Sequence, residues 1–267
     1  MTDAPRVPHD AADLEHGRMP LLGFGTWPLK GEECVEATRT ALETGYRHLD
    51  TATVYENEAE VGRGLAESGV PRAEVFVTTK WPGDDDPATA LDTLRRSLDL
   101  LGPEYVDLWL VHWPGPGGRN VWEHFVQARE QGLVRDVGVS NFDLAMIDEA
   151  REGTGVQPAV NQVKWSPMLF DAGFLAGHRE RGVLLEGYSA LRYGAHEHVT
   201  VKDIAERHGA TPVQVLVRWH LQHGVVVIPK SAHPERIRAN ADVDWFVLGD
   251  EEMEALDGLS TVGTTAG

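Results

Sequence analysis

Short runs of β-branched and leucine residues alternate along the chain with longer stretches in which apolar positions recur every three or four residues. The short runs have the length and composition of strands, and the longer ones have the period of helices with one buried face. The strands so predicted are Leu21–Gly25, Arg47–Asp50, Val75–Lys80, Val106–Val111, Val134–Ser140, Ala159–Val163, Val183–Tyr188 and Val225–Pro229. Several are apolar at nearly every position, as in Val225, Val226, Val227 and Ile228. Strands covered on both faces read this way, so the expectation is a parallel sheet wrapped by helices.

Helix starts fall between the strands. Asp86 precedes Pro87 and then Leu91, Leu94, Leu98 and Leu101, which is an N-cap, a proline at the first helical position and a period of three to four. The acidic run Asp84, Asp85 and Asp86 reads as negative charge at that helix N-terminus. Eight strand-helix units within 267 residues give an α/β chain folded as one (β/α)8 TIM barrel over residues 1–267, with no Pro- or Ser-rich linker dividing it. The segment Asp10–Pro20 precedes the first unit, and His16-Gly17-Arg18 predicts a short N-terminal hairpin at the barrel floor. Two helical patterns, Val201–His208 and Pro212–Gln222, lie between the last two strands, so one is an insertion.

Charge narrows the partners. The chain carries 42 acidic against 24 basic residues, a net charge of −18, which disfavours nucleic acid and anionic membranes. The single cysteine, Cys34, excludes an intramolecular disulfide and a cysteine-based metal site. The start, Met-Thr-Asp-Ala-Pro, lacks the basic and apolar stretches of a secretory leader, and no apolar run approaches the roughly 18 residues of a membrane span. A cytoplasmic monomer acting on a small molecule is the expectation, with no metal. His196 and His198 read as solvated loop residues, His48 as a structural hydrogen-bonding group, and His220 and His223 as positive charge at a helix end.

In an α/β barrel the chemistry sits at the C-terminal ends of the strands. There the sequence places Asp50, then Tyr55 five residues on, Lys80, His112, and Ser140 with Asn141. A tyrosine hydroxyl has a pKa of about 10, and a nearby ammonium lowers it. Lys80 can supply that charge, Asp50 can hold Lys80, and His112 can hydrogen-bond the oxygen that meets Tyr55. Together they form a device for protonating or deprotonating an oxygen. A Schiff-base aldolase built on Lys80 stands as an alternative.

The strings GFGTW at Gly23–Trp27, GYRHLDTATVYENEAEVG at Gly45–Gly62, Thr79-Lys80-Trp81, His112-Trp113-Pro114, GVSNF at Gly138–Phe142, Gln162, GYSAL at Gly187–Leu191 and IPKS at Ile228–Ser231 resemble the aldo-keto reductases, in order and over nearly the whole chain. The segment Arg218-Trp219-His220-Leu221-Gln222 looks most similar to the bacterial 2,5-diketo-gluconate reductase group. The resemblance implies NADPH-dependent reduction of an aldehyde or ketone to an alcohol, with a cofactor-binding regulatory or redox-sensing subunit of little turnover as the alternative it also brings. Tyr55 would be the proton donor, Lys80 and Asp50 its tuning pair, and His112 the group orienting the substrate carbonyl. In a related branch that reduces a carbon-carbon double bond the histidine is a glutamate, so His112 favours carbonyl chemistry.

The chain holds no glycine-rich dinucleotide turn of the G-x-G-x-x-G kind at Gly23 or Gly62. The resemblance instead lays the cofactor across the barrel mouth, with Gly25, Thr26, Trp27 and Asp50 among its contacts. Ser140, Asn141 and Gln162 would hold the carboxamide, Tyr188 would stack on the nicotinamide, and Ser189 and Leu191 would meet the pyrophosphate. The stretch Lys230–Asn240 has a local charge of +2, and Lys230, Ser231 and Arg236 suit a ribose phosphate. Ala239 departs from the family's usual glutamate, leaving Asn240 for the adenine. Trp27, Trp81 and Trp113 are expected to wall a substrate pocket with His112. Short segments at 115–119 and 260–267 point to an open site for small or medium carbonyls.

Overall fold

The structure, a computed structural model, describes residues 5–83, 86–115, 120–192 and 194–260. All eight predicted barrel strands are present. After a two-stranded antiparallel hairpin of β1 (Ala11–Asp13) and β2 (Arg18–Pro20), they run as β3 (Phe24–Gly25), β4 (His48–Asp50), β5 (Phe76–Trp81), β6 (Val106–Val111), β7 (Val134–Ser140), β8 (Val160–Lys164), β9 (Leu184–Tyr188) and β10 (Val226–Val227). Each pairs in parallel with its sequence neighbour from β3 to β10. A parallel bridge from Leu22 to Val227 closes the ring, with Val227 N–H donating to Leu21 O at 2.8 Å and Gly23 N–H to Val227 O at 2.9 Å.

All six residues of β5 and of β6 are buried, the pattern anticipated by the run of β6, apolar at every position but Asp107. The outer face of β6 meets a helix directly: Trp109 stacks on Phe125 of the helix Trp122–Glu130, ring centroids 3.7 Å apart. Asp86 caps its segment as read, accepting from Ala88 N–H at 3.0 Å; Asp84 and Asp85 lie outside the described residues. The paired helices Val199–His208 and Pro212–Gln222 precede β10, the second opened by a reciprocal Thr211–Gln214 cap.

Two details differ from the sequence reading. The hairpin turns over Leu14–Gly17, with Leu14 N–H donating to Gly17 O at 2.8 Å, slightly earlier than His16–Arg18. It covers the N-terminal end of the barrel, where His16 Nδ1 lies 3.3 Å from Asp136 near the start of β7 and Met19 is fully buried. The first and last barrel strands are two residues each rather than five. Pro229 has no N–H to extend that ladder, and glycines take over at the seam. A side chain at Gly25 would put its Cβ 2.8 Å from Ile228 O, a backbone atom that cannot step aside. Residues 116–119 and 261–267, which carry most of the two short loops read from the sequence, lie outside the described residues. Among those described, no helix is long and apolar enough to cross a membrane.

Closing the barrel at Gly25 yields a stability prediction. Gly25→Ala should lower the unfolding free energy by about 1–3 kcal/mol, the usual cost of overpacking, read from urea denaturation; an unchanged midpoint would contradict this account of the seam.

Candidate active site

Side chains alternate across a strand, so one face of each strand looks into the barrel and the other at the helices. The contacts fix which is which. Asp50, Lys80 and Gln162 meet one another inside, whereas Thr79 bonds Glu58 in the helix Glu58–Glu67 at 2.6 Å and Asn161 bonds His178 in the helix Ala172–Glu180 at 2.9 Å. Trp81 shares the outward face of Thr79 and is fully buried. It therefore corrects the expectation that Trp81 walls a substrate pocket: it is packed beneath the helices.

Lys80 is the centre of the site and is itself fully buried. Its ammonium donates to Asp50 Oδ1 at 2.7 Å, Asp50 Oδ2 at 2.8 Å and Thr51 O at 2.9 Å. Gln162 Nε2 donates to Asp50 Oδ2 at 2.8 Å, so the carboxylate is held from a third strand. Burial alone would drag the lysine pKa down, but Asp50, the Tyr55 oxygen and the hydrogen bonds to Asp50 outweigh it and leave Lys80 above its ordinary value.

Tyr55 ends a single turn, Thr53–Tyr55, that follows β4. Thr53 Oγ1 ties that turn to Lys80 O at 2.8 Å, and Lys30 Nζ donates to Tyr55 O at 2.6 Å while pairing with Glu56 at 3.2 Å. Lys80 Nζ lies 5.1 Å from the centre of the Tyr55 ring, and the His112 ring stands edge-on to it at 5.7 Å. The sequence reading gave Lys80 the deciding influence and so a lowered Tyr55 pKa. In the structure burial pushes the phenol up more than Lys80 pulls it down, Asp50 adds to the rise, and the net shift is upward. His112 is driven down to about 3 by burial and then by Lys80, so it is a neutral imidazole. A phenol and a neutral imidazole side by side can direct two hydrogens at one oxygen.

The rim carries the other expected residues. Asn141 Nδ2 donates to His112 O at 3.1 Å and to Ser140 Oγ at 3.0 Å, and the Tyr188 hydroxyl donates to Asn141 Oδ1 at 2.8 Å. Ser140 in turn donates to Gln162 O at 2.8 Å. Asn141 and Ser189 have φ of 63° and 59°, a strained region for non-glycine residues that surrounding structure must hold. Thr26 is committed to Asp50 O through both its N–H and its hydroxyl, each at 3.0 Å, and Gly25 lies at the seam. Trp27 and Trp113 are half exposed, at 50% and 49%, and the Arg192 guanidinium sits 5.2 Å over the Trp27 ring; Leu191 is partly buried beside it. Lys230 and Arg236 are exposed around the N-terminus of the helix Pro234–Ala241, while Ser231 and Asn240 are buried.

Three residues escaped the sequence reading or changed meaning. Asn57, fully buried, donates to Thr26 O at 3.1 Å and Leu29 O at 3.0 Å and accepts from Thr51 at 2.8 Å, joining the loops after β3 and β4. Glu186 lies fully buried inside the barrel on β9; its inward position, two before Tyr188, was the available clue. His220 is buried and pushed down to about 4, so it carries no helix-end charge, and its Nδ1 lies 2.7 Å from Leu216 O. His196 lies against Leu191 O and His198 caps the helix Val199–His208; among the described residues no cluster of three or more metal-ligating side chains occurs.

The exposed cations Lys230 and Arg236, beside the N-terminus of the helix Pro234–Ala241, suit an anionic ligand. The comparisons agree with that chemistry. The family model described as Aldo/keto reductase family matches residues 21–261. A 2,5-diketo-D-gluconic acid reductase B of Corynebacterium sp. is 46% identical over 243 residues, covering 89% of this chain and 88% of that protein. The crystal structure of an aldo/keto reductase from Brucella melitensis superimposes with a TM-score of 0.89 at 38% identity, covering 95% of this chain and 99% of the other. A Bombyx mori aldo-keto reductase solved in complex with NADP gives a TM-score of 0.86 at 31% identity, covering 94% and 92%. The chain is an oxidoreductase that belongs to the aldo/keto reductase family.

Proposed function

We propose that this chain, working as one unit over residues 1–267, reduces aldehydes or ketones to alcohols at the expense of NADPH, with Tyr55 as the proton donor. The observation that carries the reading is the placement of Lys80, whose ammonium is spent on Asp50 and Thr51 directly beneath Tyr55 and beside a neutral His112. A lysine so engaged and kept protonated is a poor nucleophile, which argues against a Schiff-base aldolase.

The raised pKa keeps the proton on Tyr55 before reaction. Once the proton passes to the substrate oxygen, the phenolate left behind faces Lys80, and that attraction strengthens as charge develops. His112, neutral, donates to the same oxygen and orients the carbonyl without bringing a second positive charge next to Lys80. Trp27 and Trp113 offer half-exposed indole surface for the apolar part of a substrate.

The bound dinucleotide would supply the hydride. Ser140, Asn141 and Gln162 would take its carboxamide and Tyr188 its ring, while Ser189 and Leu191 would meet the pyrophosphate. Gly25, Thr26 and Trp27, at and just after the end of β3, would add further contacts. Lys230, Ser231 and Arg236 would hold the ribose phosphate that separates NADPH from NADH, and Asn240 would meet the adenine. In a chain of net charge −18 this local excess of +2 is the feature that favours the phosphorylated cofactor.

Tyr55→Phe should cut kcat for a reactive aldehyde by about 10²- to 10⁴-fold, the range for loss of a general acid, while cofactor binding followed by fluorescence is unchanged; wild-type turnover in that variant would refute the assignment. Arg236→Ala should weaken NADPH by about 10- to 100-fold, the loss of a charge-assisted contact, and leave NADH nearly unaffected; equal losses would remove Arg236 from cofactor selection.

A further inference from the structure

Below the Asp50–Lys80 pair the barrel holds a second carboxyl group, that of Glu186. It is fully buried on β9, between Gln162 of β8 and Val226 of β10 in the ladder, and neither of its oxygens has a hydrogen-bond partner among the described residues. The groups facing it can be named strand by strand. From β4 come Asp50 and His48, whose Nε2 lies 3.9 Å from Glu186 Oε1 but also 3.1 Å from Thr78 Oγ1. From β5 comes Lys80, already claimed by both oxygens of Asp50. From β8 comes the neutral Gln162, bonded to Asp50, and from β10 the apolar Val226. On the outer side of β9, His220 packs against Gly187.

One cation thus serves two carboxyl groups, and it is bonded to only one of them. His48 cannot neutralise the second, because burial and Lys80 push it down to about 3. A carboxylate stripped of water, without donors and next to another carboxylate, is the costly form of the group. We infer that Glu186 is a positioning residue, an uncharged carboxylic acid that keeps the buried set around Lys80 electrically balanced and so governs how readily Tyr55 releases its proton. The inference rests on Tyr55 being the acid. Burial first, then Asp50, raises Glu186 to about 8 against the pull of Lys80, and an ionised Glu186 in turn opposes ionisation of Tyr55. Turnover should therefore decline as Glu186 loses its proton.

The test compares wild type with Glu186→Gln, which mimics the protonated acid, by two readouts. The first is the pH dependence of Tm. The folded chain keeps a proton that the unfolded chain releases near 4.5, so wild type should lose stability relative to Glu186→Gln as pH rises from 4.5 through about 8. Parallel curves would overturn the inference. The second is the pH profile of kcat for aldehyde reduction, in which an alkaline decline near pH 8 should be present in wild type and absent in Glu186→Gln, with matching rates at lower pH. Superimposed profiles would overturn the positioning role even if the Tm curves diverge. If Glu186→Gln does not fold, infrared titration of wild type replaces it: a buried carboxylic-acid band that persists at pH 7 supports the inference, and its absence overturns it. Failure of the Tyr55 assignment is separately visible, because Tyr55→Phe would then turn over normally while the Tm and infrared readouts stand.

Discussion

The site depends on one buried ion pair. Lys80 and Asp50 are both removed from water, and Lys80 stays charged because three acceptors, two from Asp50 and one from Thr51, meet its ammonium at 2.7–2.9 Å. Desolvation makes such pairs costly to build, and removing one partner of a buried pair costs about 3–5 kcal/mol because a lone charge is left behind. The pair also couples strands: Asp50 ends β4, Lys80 lies in β5, and Gln162 binds Asp50 from β8 across the barrel. A packed interior of branched apolar residues, the usual filling of such barrels, would offer no means of holding a charge there.

What lies around the pair follows from that charge. Its field helps depress His112 and keep it a neutral donor, and it stands under Tyr55, opposing the effect of burial on the phenol. The loop that carries Tyr55 is pinned from three sides, by Thr53 to Lys80 O, by Lys30 to Tyr55 O, and by Asn57 to the loop after β3. Such support gives a largely buried tyrosine a fixed place above the ammonium. The chain's acidity bears on a different part of the molecule. The basic stretch around Lys230 and Arg236 is exposed, and under the proposed function it would meet the charge of the cofactor rather than of the reaction.

Much of this was legible in the sequence because strand runs and strand ends are local properties. The eight barrel strands were found, and Asp50, Lys80, His112 and Asn141 fell at their ends with Tyr55 in the loop after β4. What was missed depends on which way a side chain faces. Trp81 follows Lys80 directly and so points to the opposite face, out under the helices; counting by twos from Lys80 would have placed it there. The same count from Tyr188 leads inward to Glu186. The net upward shift of Tyr55, the neutral state of His220 and the bridging role of Asn57 depend on burial by distant segments, which residue spacing does not encode. The two-residue length of β3 and β10 reflects a backbone approach between Gly25 and Ile228, more than 200 residues apart in the sequence.

The charge on Lys80 is the claim on which the account turns, and nitrogen-15 NMR of the lysine ammonium groups, assigned by comparison with Lys80→Met, measures it most directly. The account predicts a slowly exchanging Lys80 signal that remains an ammonium at and above pH 10.5, the ordinary midpoint for lysine. A Lys80 that loses its proton below pH 10.5 would contradict it.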